Sequence, residues 1–178
     1  MPQPRPRAPR PRAAHAAPLL LPALLGLCGC FGPARDAFPP VCPTAAVLPG
    51  AGDLTLYRPG GGHDLTDVQI GGSVLGASGS CIDGDAPRTV DATLSLNMRF
   101  QRGPAAPTRQ ANIPYFVAVA RGEDILAKQV RTVRVDFPPN VDAVTVSTNK
   151  LLVTLPVGPD RSAAGYQVWV GFQHAAPG

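Results

Sequence analysis

The sequence predicts an all-β fold, an antiparallel β-sandwich of about seven strands, with a small β-barrel as the alternative. Residues 89–100 alternate apolar and polar side chains without exception, which is the period of a strand with one buried face. Shorter alternations follow at close spacing, and their connections suit antiparallel pairing. No window of about 11 residues or more has the period of an amphipathic helix.

The first half of the predicted domain contains three expected strands. Asp53–Arg58 is the first, with its leucines on one face. Residues 58–64 follow as a loop, because a proline and three consecutive glycines suit neither helix nor strand. Val68–Leu75 is the second strand, although its paired glycines weaken the pattern. Thr89–Phe100 is the third and longest.

The second half repeats the strand pattern in shorter segments. Apolar residues at every second position define the segments Ile113, Tyr115, Val117 and Val119; Val133, Val135 and Phe137; Val144 and Val146; Leu151, Val153 and Leu155; and Tyr166, Val168, Val170 and Phe172. Arg121–Asp124 is expected to form a hairpin turn between two of them. The apolar phase slips by one residue between Val130 and Val133, which predicts a β-bulge near Arg131.

One short motif resembles a feature of known sandwich families. Ala164-Gly165-Tyr166, leading into a strand, is similar to the tyrosine corner of immunoglobulin-like domains. A core tyrosine at the start of a strand is the alternative. The resemblance, together with a length of about 110 residues from Asp67 to Gln173, implies an immunoglobulin-like or fibronectin-like arrangement.

The N-terminus carries export signals. Four arginines within residues 5–12 precede an apolar run over residues 13–27. The run contains two prolines and is shorter than the roughly 20 apolar residues of a membrane-spanning helix, so it is typical of a secretory signal peptide. Residues 27–30, Leu-Cys-Gly-Cys, resemble the lipobox of bacterial lipoproteins, with the small Gly29 before the cleavage site and Cys30 after it.

The lipobox resemblance implies removal of residues 1–29 and acylation of Cys30. More than one acyl chain gives stable attachment to a membrane. Phe31 follows the cysteine instead of the aspartate that retains many lipoproteins at the inner membrane, which favours the outer membrane, facing the periplasm. The lipoprotein resemblance rests on the leader and lipobox, roughly the first fifth of the chain. The domain that follows also resembles small uncharacterised lipoproteins of high-GC Gram-negative bacteria.

The rest of the chain divides by composition into a tether and a domain. Residues 30–52 are rich in proline and alanine and are expected to form a semi-rigid tether, and residues 53–178 a single sandwich domain. The chain has 16 Lys and Arg against 12 Asp and Glu, but the leader holds four of the arginines. The remainder is therefore neutral and lacks the basic surface that nucleic-acid binding requires.

Two cysteines beyond the lipobox predict a disulfide. Cys42 and Cys81 form an even pair in an exported domain, and the envelope is oxidising. A redox pair is disfavoured because the chain has no C-x-x-C motif, and a zinc site because only two histidines lie in this part of the sequence. The bond would attach the proline-rich segment to the domain.

Catalytic chemistry has little support in the sequence. The glycine-rich loop brings His63, Asp64 and Asp67 together as a weak candidate for binding a cation or moving protons, with a plain turn as the alternative. It lacks the lysine of a P-loop and the carboxylate spacing of a calcium loop. There is no G-x-S-x-G nucleophile motif. We therefore expect no enzyme, no catalytic residues, no cofactor and no metal.

Two aromatic residues point to a contact surface. Phe116 and Trp169 lie out of phase with the apolar residues beside them, so they should face away from the core. They form a candidate contact patch, unless the proline-rich segment or a loop covers that face. The sequence thus favours a non-enzymatic structural or protein-interaction module with an envelope protein as partner. The alternative is a glycan- or lipid-binding module that uses Trp169.

Overall fold

The computed structural model describes residues 40–174. Within them the chain forms nine β-strands and one short 3-10 turn at Leu65–Asp67. The strands are β1 Thr44–Val47, β2 Asp53–Tyr57, β3 Val68–Asp83, β4 Thr89–Arg102, β5 Gln110–Arg121, β6 Asp124–Asp136, β7 Ala143–Ser147, β8 Leu151–Pro156 and β9 Gln167–Phe172.

The strands form the two sheets of a β-sandwich, which confirms the predicted fold class. The first sheet has the order β1-β9-β5-β6. The second has the order β2-β3-β4-β7, and β8 pairs with β4 beside β7. All neighbours run antiparallel except β1 and β9, which are parallel. The side chains between the sheets form the core.

Strand β4 shows why the alternating pattern was a reliable signal. Every second side chain from Val90 to Phe100 is buried, and those between are not. Leu96, Met98 and Phe100 have no solvent exposure. The rings of Phe100 and of Phe172 from the opposite sheet pack edge to face, with their centroids 5.8 Å apart. Side chains of the two sheets therefore interdigitate at this point.

Strand β3 is longer than the sequence indicated. It was expected to end at Leu75 but continues to Asp83 and pairs with β4 along its length. A register shift between Val74 and Gly76 accommodates one extra residue. Further along, a Cβ on Gly79 would collide with the backbone carbonyl oxygen of Thr93, so this small-residue stretch allows close approach of the two backbones.

The segment before β2 belongs to the sandwich, which corrects the boundary placed at residue 53. Val41 forms a parallel bridge with Ser162, and β1 pairs with β9. The sequence missed β1 because a short run beside several prolines resembles a tether. The predicted disulfide is present, with the Cα atoms of Cys42 and Cys81 5.7 Å apart. It joins the residue just ahead of β1 to β3.

The hairpin between β5 and β6 forms as predicted, but the bulge lies elsewhere. Arg121 pairs with Asp124, and Gly122 has φ 61°, which favours glycine in a two-residue turn. The pairing is continuous through Arg131, so the bulge expected there is wrong. The register instead shifts at Leu126, and Val130 simply points to the outer face of the sheet.

The signal peptide of residues 1–29 and the acylation of Cys30 lie outside the described residues and stay predictions. Within residues 40–174, no helix is long and apolar enough to cross a membrane.

Candidate functional site

The glycine-rich loop is held together by its own polar groups. Asp67 is 5 % exposed, and its carboxylate accepts a hydrogen bond from the Gly62 N–H at 3.0 Å and pairs with Arg58 Nε at 2.5 Å. The His63 ring lies 4.7 Å from the Tyr57 ring, while Asp64 is exposed. Residues 40–174 contain no group of three His, Cys, Asp or Glu side chains that could hold a metal ion. The geometry fits a structured turn.

Phe116 and Trp169 share the outer face of the first sheet, but only one is accessible. In register, Phe116 faces Gly171 and Trp169 faces Ala118, so the two aromatics are diagonal neighbours. Phe116 is only 6 % exposed because Ala51 packs over it and Lys128 Nζ lies 4.7 Å from its ring centroid. Cover by the proline-rich segment, the alternative reading, therefore applies to Phe116.

Gly171 makes this cover possible. A Cβ at that position would lie 2.6 Å from the Ala51 Cβ and 3.1 Å from the Phe116 ring. The Ala51 carbonyl accepts a 2.7 Å hydrogen bond from the backbone N–H of Phe172. This bond holds the segment around Ala51 on the outer face of the first sheet. Trp169 packs beside this cluster and stays half-buried.

A group of exposed apolar side chains lies on β6. This strand is the last of its sheet, so one of its two edges has no neighbour among the described strands. Ile125 is 69 % exposed, and Leu126 and Val130 are each 55 % exposed; we call these three residues the β6 patch. Every residue from Arg121 to Thr132 is exposed, whereas Val133 and Val135 further along the same strand are buried. A long unpaired edge with apolar side chains is a template for pairing with another chain.

An open groove runs between β6 and β8, at the edge where the two sheets separate. Its apolar half has a volume of about 420 Å³. Its apolar lining comes from three strands and one tyrosine: Val117, Val119, Leu126, Leu151, Leu152, Val153, Leu155 and Tyr166. Tyr166 is buried there, and its hydroxyl donates a 2.6 Å hydrogen bond to the Pro156 carbonyl.

A second, more polar pocket of about 490 Å³ adjoins the first, and we treat it as the polar half of the groove. The two halves share Arg131 and Leu151 in their walls. Arg134 and Lys150 also line the polar half, and no Asp or Glu does among the described residues. Arg131 donates to the Gln129 side chain at 2.9 Å, and Arg134 is paired with Asp136 at 3.0 Å.

Tyr115 closes the inner side of the polar half. Burial raises the pKa of its phenol, while the positive charge of Arg131 and a hydrogen bond with Thr148 act in the opposite direction. The Asp136 carboxylate, by hydrogen bonding and charge, raises the pKa of Arg134 above its ordinary value. With Arg131, Arg134 and Lys150 in its wall, this half of the groove is a cationic, hydrogen-bonding surface.

The groove is not predicted by the sequence pattern. One signal was available: Ile125, Leu126 and Ala127 are consecutive apolar residues in a strand whose later part alternates. Such a run indicates apolar side chains on both faces of a strand. Their exposure follows from the position of β6 at the sheet edge, which only the tertiary structure specifies.

Comparison with protein-family models, with curated proteins and with solved structures finds no match to this chain.

Proposed function

We propose that this chain is an envelope lipoprotein, anchored through Cys30, whose β-sandwich is a non-enzymatic protein-interaction module. The observation that carries the proposal is the exposed apolar edge of β6. Partner proteins commonly add a strand to such an edge, with backbone hydrogen bonds supplying affinity and alternate side chains supplying specificity. The contact surface is thus the β6 patch, and not the pair of aromatics on the neighbouring strands.

The registers support a contact surface on the outer side of β6. Ile125 pairs with Ala120 and Val130 with Phe116, so both side chains lie on the outer face of the sheet. Burying two such side chains against a partner stabilises a complex by about 1.5–3 kcal/mol each before association costs. Lys128 lies between them on the same face, with its Nζ 4.7 Å from the Phe116 ring centroid. A lysine on an edge strand disfavours unselective edge pairing, such as aggregation of identical copies, so a partner must accommodate it.

Site-specific crosslinking in intact envelopes tests the interaction. A photoreactive amino acid replaces Ile125 in the full chain, and the matched control carries it at Ile82, which is 64 % exposed in the other sheet. We expect an adduct of defined mass from position 125 only, and its loss when Val130→Lys is added. Equal adducts from both positions, or none from position 125, would overturn the proposed surface.

The anchor is tested separately. Cys30→Ser is expected to move the protein from the membrane pellet to the soluble fraction of lysed cells, because the acyl chains are the only attachment that the proposal invokes. Retention of the variant in the pellet after a high-salt wash would contradict lipid anchoring.

A further inference from the structure

The groove between β6 and β8 has a polarity that changes from one end to the other. The apolar half is lined by side chains such as Val119, Leu126 and Leu155, and the polar half is lined by Arg131 and Lys150. A peptide strand alternates its side chains between two faces along its whole length. A groove that is apolar at one end and cationic at the other instead matches a ligand whose apolar and charged parts are separated end to end.

The apolar half is accessible as well as apolar. Val117, Val119 and Leu155 form a floor that is nearly free of solvent exposure, while Leu126 and Leu152 remain more than half exposed at the rim. Covering these rim side chains removes apolar surface from water, which drives binding of a hydrocarbon chain.

The cationic half of the groove determines the charge that the polar end of the ligand must carry. Arg131 lies at the junction of the two halves and Lys150 at the turn between β7 and β8. Arg134 is already paired with Asp136, so Arg131 and Lys150 provide the available positive charge. Guanidinium groups bind carboxylates and phosphates through paired hydrogen bonds. Ser147 and Thr148 also line this half.

From this juxtaposition we infer that the groove binds a single-chain lipid with an anionic head group. The acyl chain lies in the apolar half between β6 and β8, and the head group meets Arg131 and Lys150. This binding site goes beyond the proposed partner interaction. The groove uses the inner side of β6, the partner contact uses Ile125 and Val130 on the outer side, and Leu126 is the one residue that both surfaces include.

Photoaffinity labelling tests the site on the full chain in nanodiscs of zwitterionic phosphatidylcholine. The probe is a fatty acid with a diazirine at the middle of its chain, and mass spectrometry locates the labelled residues. We expect labelling of residues in β6 and β8 around Leu126 and Leu152. Labelling confined to residues 1–39, or spread over the whole surface, would overturn the inference.

Competitors of equal chain length identify the head group. Laurate should displace the probe, whereas dodecanol and dodecyltrimethylammonium should need about tenfold higher concentrations, the loss expected for a charge-assisted hydrogen bond. Dodecyl phosphate distinguishes a phosphate from a carboxylate head group by competing better than laurate. Shortening laurate by one methylene should weaken competition about fourfold. Equal competition by the cationic amphiphile would overturn the inference.

Variants connect the binding to named residues. Arg131→Gln should weaken laurate competition about tenfold, whereas Arg99→Gln, on an exposed position of β4, should not change it. Leu126→Glu should abolish labelling of the groove, and Leu75→Glu, which is 59 % exposed in β3, is its control. An equal loss of laurate competition in Arg131→Gln and Arg99→Gln, or labelling of the groove that persists in Leu126→Glu, would refute lipid binding at this groove.

Discussion

Removing the Cys42–Cys81 disulfide is expected to lower the free energy of unfolding by about 4 kcal/mol. The bond closes a loop with a sequence separation of 39 residues. In the chain-entropy description, closing a loop of that length lowers the entropy of the unfolded chain by about 13 cal/mol/K, which gives the stated value at 25 °C. The loop contains β1, β2 and nearly all of β3, so the bond constrains both sheets.

Urea titrations of the full chain and of the Cys42→Ala, Cys81→Ala double variant measure this difference. Cys42 is exposed and Cys81 half-buried, so the lost side-chain packing is small and the crosslink dominates the change. Chemical reduction of the unmodified chain serves as control and should give the same loss. A change below about 1 kcal/mol in both experiments would refute the entropic argument, because it would mean that the unfolded chain is already restricted without the bond.

Three further predictions concern the core and the buried tyrosines. In Gly72→Ala the added carbon would lie 3.0 Å from the Phe100 ring, so urea titration should show that the free energy of unfolding falls by about 1–3 kcal/mol. The control is the neighbouring Gly71→Ala, whose added carbon meets open space. A change beyond about 1 kcal/mol in the control would contradict the packing argument. Burial raises the pKa of Tyr115, so the unfolded chain loses its phenolic proton first and stability falls as the pH rises above about 10 toward the folded pKa. Tyr115→Phe should remove that fall in pH-dependent urea titrations, and an unchanged slope would show that another group causes it. Tyr166→Phe loses the 2.6 Å hydrogen bond to the end of β8 and should cost about 0.5–1.5 kcal/mol in thermal unfolding, with an unchanged Tm as the contrary result.

The residues of β4 show how much of the fold the sequence could predict. Twelve alternating positions, Thr89–Phe100, specified a strand and its buried face, and the structure has both. The glycine- and serine-rich end of β3 carried no such signal, because its pairing depends on close approach to β4 and not on its own side chains. The short β1 was missed for a different reason: it lies beside several prolines and resembles a tether, and its partner β9 lies more than 100 residues away in the chain.

The candidate site was harder to predict than the fold. The alternation indicated correctly that Phe116 faces away from the core. It could not indicate that Ala51 covers this side chain, because the contact between a distant segment and the sheet forms only in the tertiary structure. Conversely, Leu126 and Arg131 became site residues only through the position of β6 at the edge of its sheet. Periodicity specifies which side of a strand a residue occupies, and not what lies over that side.

The disulfide and the parallel β1–β9 pair also determine how the domain responds to tension. When force is applied to the chain on the N-terminal side of Cys42, the disulfide to Cys81 bears the force before the hydrogen bonds of β1 do. The load then passes into β3, which is bonded to β2 on one side and β4 on the other along much of its length. An oxidised domain would therefore resist mechanical extraction through its central strands, whereas a reduced one would first expose β1 to shearing from β9.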